Sequence, residues 1–172
     1  MSLTINQQAQ QIRDALSGWA LQNNGTATIV SDLAHLWRMA YIASDKVRAL
    51  ICYTGEDARG PFSLAAATFR VDRQFTVLIT RGRGFNAQRS EGLTDVSQNA
   101  VPLYELVDDA RNIIRTMISA SVELPVDFKA IRTLQIENVI TDAYMIEFSL
   151  AADLPRVVSQ PPDFVSPLPP VP

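Results

Sequence analysis

The two side chains that most often carry out chemistry in proteins are almost absent from this 172-residue chain, which has one cysteine and one histidine. Cys52, as the lone cysteine, cannot form a disulfide within the chain. His35, as the lone histidine, cannot supply a metal site that needs two imidazoles, and it would be the only imidazole base for a catalytic triad. Disulfide-stabilised folds and polyhistidine metal centres are therefore excluded within one chain.

Lysine is also scarce, because Lys46 and Lys129 are the only lysines among 15 basic residues. The formal net charge is -3, so the chain has no overall positive field that would attract nucleic acid, and any contact with DNA would have to be local. The planar guanidinium of arginine pairs bidentately and suits protein interfaces better than lysine does. The charge pattern therefore favours a protein partner.

Long apolar runs are missing as well. The first 16 residues lack the basic region and the continuous apolar run of a signal peptide, and no stretch approaches the ~18 apolar residues of a membrane span. Hydrophobic residues nevertheless make up 47% of the chain, which is typical of a globular domain. We expect one soluble domain in a reducing cytoplasm, without a membrane partner.

The thiol and the imidazole are both better explained by structural roles. Cys52 lies in the apolar run at residues 49–53, where a thiol acts as a small hydrophobic group. His35 is predicted to be a surface or helix-flank residue. We therefore predict no enzymatic activity, no cofactor and no metal site.

Adjacent carboxylates form the remaining pattern that could do acid-base chemistry. Neighbouring residues on a helix diverge by about 100° and do not face each other. We interpret Glu56 and Asp57 as a solvated loop, and Asp108 and Asp109 as a solvated helix face.

The hydrophobic pattern predicts an α+β fold: a mixed, mainly antiparallel β-sheet flanked by an N-terminal helix and a central amphipathic helix. The predicted elements in the first half are a capped helix over residues 4–22, an apolar central strand over 49–53, a polar turn over 55–61 and a half-buried strand over 68–80. Residues 31–43 allow a short helix or a hairpin strand, and the helix is the preferred interpretation.

The second half is predicted to contain one helix and two strands. These are an amphipathic helix that begins at Pro102, strands over residues 129–137 and 143–151, and a hairpin turn over 138–142. The domain would then span residues 1–153, and an extended proline-rich tail would span 154–172.

A long polar loop is the first candidate interaction surface. Residues 85–100 lack convincing periodicity, and loops of this length in compact domains usually bind something or are disordered. Arg81, Arg83, Phe85 and Arg89 lie in or beside this loop, and arginine and aromatic side chains are enriched at protein interfaces. The alternative is a local nucleic-acid patch, in which the guanidinium groups bind phosphate and Phe85 stacks on a base.

The tail is the second candidate surface. Seven of the ten prolines lie after residue 154, and this composition favours an extended polyproline conformation. Phe164, Val165 and Leu168 could dock along a neighbouring subunit, because proline has already stiffened the segment. A disordered terminus is the open alternative.

In the order of its elements and in five segments, the chain resembles the tail terminator proteins of tailed bacteriophages and the related tail-completion and minor tail proteins. The segments, which span roughly residues 4–151, are INQQAQQIRDAL, RALICYTGED, FRVDRQFTVLITRG, PLYELVDDARNIIRTMI and AYMIEFSLA. The resemblance implies a structural virion protein without enzymatic activity. It supplies no motif from which roles could be transferred to individual residues.

The resemblance also implies a set of partners. The chain would form a ring homo-oligomer, a hexamer by analogy, that caps the tail tube and joins it to the head-tail connector or neck protein. A tail sheath is a further possible neighbour, and DNA would be met only as the passing genome. The protein would be assembled in the host cytoplasm and reside in the tail or neck of the virion. The alternatives are a head-tail adaptor that contacts nucleic acid through residues 81–89, and a small ligand-binding domain or enzyme.

Overall fold

The structure, a computed structural model, describes residues 3–41, 46–58, 68–82, 103–121, 126–134 and 141–155. Within these residues the chain forms three helices and a five-stranded sheet, which confirms the predicted α+β class. The helices are α1 (Ile5–Gln22), α2 (Leu33–Tyr41) and α3 (Leu103–Ser121). The strands are β1 (Thr26–Val30), β2 (Val47–Ala58), β3 (Thr68–Gly82), β4 (Val126–Leu134) and β5 (Thr141–Pro155).

Helix α1 begins with the predicted capping box. The Gln7 amide donates to Thr4 Oγ1 at 3.2 Å, and the Thr4 amide donates to Gln7 Oε1 at 2.8 Å, so two otherwise unsatisfied donors are paired. The helix ends at Gln22, and Asn24, two residues later, has a left-handed φ of 53°. Gly25 then passes so close to the backbone carbonyl of Val47 that a Cβ would collide with it. A glycine is therefore required where the chain turns into β1.

The sheet has the strand order β1-β2-β3-β5-β4. Strand β1 is parallel to β2, and every other pair is antiparallel. Strands β3 and β5 pair along 15 residues each, from Thr68 opposite Pro155 to Gly82 opposite Thr141. This central pair carries β2 on one side and β4 on the other.

One face of the sheet packs against α1 and α3. Helix α1 contributes Ile12 and Leu16, helix α3 contributes Leu106 and Ile114, and all four side chains are buried. The strands contribute a row of alternate residues that includes Ile51, Val77 and Ile146, and three aromatic rings, Phe75, Phe148 and Phe128. The predicted apolar stripes of both long helices are confirmed.

The opposite face packs against α2, and this settles the ambiguity at residues 31–43. Asp32 caps the helix by accepting the His35 amide at 2.7 Å. Leu36 and Ala40, one turn apart, are fully buried in a second apolar cluster with Leu50 and Leu78. The helix is confirmed over Leu33–Tyr41, where the alternative hairpin strand is wrong, and residues 42 and 43 lie outside the described residues.

The predicted turn at residues 55–61 is wrong for its first four residues, because β2 continues to Ala58. A register shift between Tyr53 and Gly55, at which Gly55 has a φ of 151°, lets β2 stay paired with the longer β3. Glu56 and Asp57 are therefore strand residues. Residues 59–61 lie outside the described residues.

The other strands also differ from their predicted bounds. Strand β4 begins three residues earlier than predicted and is described as far as Leu134, and residues 135–137 lie outside the described residues. Strand β5 is longer at both ends than predicted, because β3 offers pairing partners along its whole length. Leu154 and Pro155, which were assigned to the tail, are in the sheet opposite Phe69 and Thr68. Strand β3 itself is not half-buried throughout, because its residues 75–80 are buried on both faces. Thr141 and Asp142 of the predicted hairpin turn are strand, and 138–140 lie outside the described residues.

The close approach at Gly25 yields a stability prediction. Gly25→Ala is expected to lower the free energy of unfolding by about 2 kcal/mol, because the new methyl group displaces the backbone of β2. Gly18→Ala is the matched control: Gly18 lies on the exposed side of α1 with open space around it, and alanine should raise the free energy of unfolding by about 0.5–1 kcal/mol. Urea denaturation followed by circular dichroism measures both. Equal effects of the two substitutions would contradict the packing at Gly25.

Candidate functional site

The structure describes one of the seven predicted interface residues. Arg81 lies one residue before the end of β3, in register with Val47 on β2 and Asp142 on β5. The other six, Arg83, Phe85, Arg89, Phe164, Val165 and Leu168, lie outside the described residues. The described strands and helices nevertheless place the residues on both sides of the 83–102 segment and the residue that precedes the 156–172 segment.

The segment of residues 83–102 begins and returns at one end of the sheet. It follows Gly82, the last residue of β3, and precedes Leu103, the first residue of α3. The Tyr104 ring contacts the Tyr144 ring edge-on, with 5.3 Å between centroids, and Tyr144 is the register partner of Ile79, three residues before Gly82. We call this end of the sheet the loop end.

The segment of residues 156–172 begins at the opposite end. Pro155 pairs with Thr68, the first residue of β3, whereas Gly82 is the last residue of β3. A 15-residue strand that rises about 3.3 Å per residue separates the two ends by roughly 45 Å. We call this end the tail end. The two candidate interaction segments therefore leave the domain on opposite sides.

The two edge strands of the sheet differ in their chemistry. Strand β4 carries Asp127, Lys129 and Arg132, and its pairing with β5 is irregular between Phe128 and Ala130. Charges and bulges of this kind hinder the addition of another strand. Strand β1 has neither: all five of its residues, TATIV, are uncharged and pair in regular register with β2. Among the described strands, β1 therefore forms the edge that lacks these obstacles to strand addition.

A buried arginine near the tail end was not identified from the sequence. Arg73 is 4% exposed and donates to Glu56 Oε1 at 3.0 Å, to Gln8 Oε1 at 3.0 Å and to the Leu3 carbonyl at 2.5 Å. It holds the chain before α1 against the sheet. The signal in the sequence is that Arg73 falls on the same strand face as the buried Val71 and Phe75, where an arginine must find partners.

The exposed charges on the strands form pairs of opposite sign. Arg70 binds Asp153 at 3.0 Å, Arg132 lies 3.5 Å from Glu147, and Lys129 lies 3.5 Å from Asp57. The first two pairs connect neighbouring strands, whereas Lys129 on β4 and Asp57 on β2 belong to strands that β5 and β3 separate in the sheet order, and all three pairs are solvated. Exposed pairs of this kind contribute little stability. Because each pair joins one positive and one negative side chain, the pairs together add no net charge to the surface.

Cys52 and His35 occupy the structural positions predicted for them. Burial, and then the charge of Asp32, raise the pKa of the Cys52 thiol, which keeps it protonated and poorly nucleophilic. His35 lies in the first turn of α2, where its ring Nδ1 is 3.2 Å from Ser31 Oγ. The hydrogen bond from the His35 amide, followed by that from Ser31, lowers the pKa of the capping carboxyl group of Asp32.

No group of three or more His, Cys, Asp or Glu side chains among the described residues is arranged to hold a metal ion. None of the described helices is long and apolar enough to cross a membrane.

Comparison with known proteins adds no family assignment. No protein-family model matches the chain, and no curated protein sequence matches it either.

The geometry predicts that two arginines on the same strand differ sharply in importance. Arg73→Met is expected to lower the free energy of unfolding by about 3 kcal/mol, since it leaves Glu56 and Gln8 without their buried donor. Arg70→Met is the matched control: both residues lie on β3, and the exposed Arg70–Asp153 pair should matter little. Thermal and urea unfolding of both variants provide the test. A larger loss for Arg70→Met would be inconsistent with these contacts.

The Cys52 thiol is predicted to react with maleimide only when the protein unfolds. The folded-state pKa of this thiol is raised, so its contribution to stability is complete below about pH 8.5 and is lost as the pH rises through the folded pKa. The control is Thr28→Cys, an exposed position on the adjacent strand β1, which should react in the native state. Mass spectrometry after timed labelling, with and without guanidinium, distinguishes the two. Rapid native labelling at Cys52 would refute its burial.

Proposed function

We propose that this protein is a structural virion component, a tail terminator that assembles into a homo-oligomeric ring, caps the tail tube and joins it to the head connector. The proposal begins from the resemblance in element order and segments, and the described architecture supports it. The observation that carries it is that Gly82, which precedes the 83–102 segment, and Pro155, which precedes the 156–172 segment, lie at opposite ends of the β3–β5 pair.

A ring of identical subunits needs two different contact surfaces on each copy. In a cyclic assembly of more than two subunits, one surface of each copy binds a different surface of the next, and the contact closes after a fixed number of copies. Segments that leave a domain about 45 Å apart can serve such a head-to-tail contact without competing for the same space.

The same separation suits a protein that joins two larger structures. The loop end and the tail end face opposite directions along the strands, so each is free to meet a different neighbour in a stack of rings. The Arg70–Asp153 and Arg132–Glu147 pairs add no net charge to the strand surface, which supports a protein partner and a genome that merely passes.

The first experiment is the solution mass of the full chain, measured by light scattering over a range of concentrations. We expect one discrete species near six times the chain mass of 19.0 kDa, because a closed ring has a fixed number of copies. Negative-stain microscopy of the same sample should show rings with a central opening. A monomer at all concentrations, or a mass that grows without limit, would contradict the proposal.

The control for this measurement addresses the nucleic-acid alternative. The triple substitution of Arg81, Arg83 and Arg89 by alanine is compared with the parent chain for binding to duplex DNA at several salt concentrations. The ring proposal predicts weak binding that the substitutions do not change. Strong, salt-dependent binding that the triple substitution abolishes would favour the head-tail adaptor.

A further inference from the structure

The outer edge of β1 has unused backbone hydrogen-bonding capacity among the described residues. Its inner edge pairs with β2 along all five residues, and no described strand pairs with its outer edge. Thr26 and Thr28 are exposed, and Ala27 and Ile29 are half-buried against the main core. An edge of this kind accepts an extended segment through main-chain hydrogen bonds.

The chain itself contains a segment that fits this edge in length and chemistry. Residues 156–160, with the sequence RVVSQ, directly follow β5 and contain no proline, whereas Pro155 precedes them and Pro161 and Pro162 follow. Five residues without proline match the five residues of β1, and valine favours strands. The two prolines would end the pairing where β1 ends, since proline cannot donate to the ladder.

This segment cannot reach the β1 edge of its own copy. Val30 lies level with Cys52 and Thr76, and Pro155 lies level with Thr68, so the two points are separated by eight residues along β3 and three strand spacings across the sheet. At about 3.3 Å per residue and 4.8 Å per strand, the separation is roughly 30 Å. Residue 156 follows Pro155 at about 3.8 Å. Only the β1 edge of another copy is within reach.

We propose that residues 156–160 of one copy add as an antiparallel strand to the outer edge of β1 of the next copy, and so clamp the ring. The inference rests on the proposed ring and names its contact. Antiparallel addition places Arg156 beside the end of β1 at which the exposed Asp32 lies, so opposite charges meet. Parallel addition would instead place Asp163, which follows the segment, near Asp32, so that two negative charges would meet.

Disulfide trapping in the full chain tests this contact. In the antiparallel register Thr28 lies opposite Val158, at the centre of the five pairs, so Thr28→Cys combined with Val158→Cys should form a bond between copies on mild oxidation. Because every copy both donates and accepts a strand, non-reducing electrophoresis should show covalent multimers up to the ring size. Each single-cysteine variant should give at most a dimer. Cys52 remains in place because it is buried.

The matched control moves the acceptor cysteine to the other edge of the sheet. Ile131 lies on β4 and is 38% exposed, so Ile131→Cys with Val158→Cys offers an equally accessible thiol at the charged, irregular edge. The proposal predicts multimers for the β1 pair and not for the β4 pair. Equal trapping in both pairs would mean random collision of the tail and would overturn the proposal.

Two truncations provide an independent readout by light scattering. A chain that ends at Gln160 retains the pairing segment and should keep the ring mass, whereas a chain that ends at Pro155 should lose it with an unchanged circular dichroism spectrum. Loss of the ring in both would assign the clamp to Phe164, Val165 and Leu168 and overturn the proposal. A full-chain ring without trapping at β1 refutes the strand addition alone, whereas a full chain that stays monomeric refutes the ring as well.

Discussion

The antiparallel pairing of β3 with β5 is the contact on which the rest of the described structure depends. It joins 15 residues of each strand, although the strands are separated by more than 50 residues of sequence. Strand β2 is held on one side of this pair and β4 on the other, and all three helices pack on the sheet that results. The pairing also sets the distance between the two ends at which the candidate interaction segments leave the domain.

Two arginines, Arg48 and Arg73, are buried against the central strands of the sheet. A buried guanidinium group needs hydrogen-bond acceptors, and each of the two arginines has them. Arg48 is buried beneath α2, donates to the Met39 carbonyl at 2.8 Å and to Thr80 Oγ1 at 3.2 Å, and burial lowers its pKa. Arg73 does the same beneath the N-terminus of α1. The abundance of arginine in this chain is therefore partly a property of its folding, and not only of an interaction surface. Both arginines connect a helix, or the residues beside it, to the sheet. Lysine lacks the planar fork of arginine and makes such a connection less well.

The proposed assembly is based on the two edge strands of the sheet and on the segment that follows β5. One edge of the sheet is protected by charge and by an irregular register, and the other is short, uncharged and regular. A segment with the length and composition of a matching strand leaves the domain too far from that edge to fold back onto it. We propose that identical copies exchange this strand, and a repeated exchange in one direction forms a ring when the rotation between successive copies closes. The outer edge of β1 is thus the specific contact between copies in the proposed ring.

Local patterns were sufficient to predict α1 from its capping box and apolar stripe, α3 from its buried face, the apolar strand around Cys52, the α+β class, the burial of Cys52 and the surface position of His35. They did not predict that β2 continues past Gly55, that β5 includes Leu154 and Pro155, or that Arg73 is buried. Six of the seven residues predicted for an interface lie outside the described residues, so the structure locates the residues from which their segments leave the domain and not their side chains. The cap, the hydrophobic period and the backbone hydrogen bonds of a helix all lie within one short segment, so a helix can be predicted from the sequence of that segment. The length of a strand, the burial of its faces and the openness of its edges depend on partners distant in sequence, and only the tertiary structure brings those partners together.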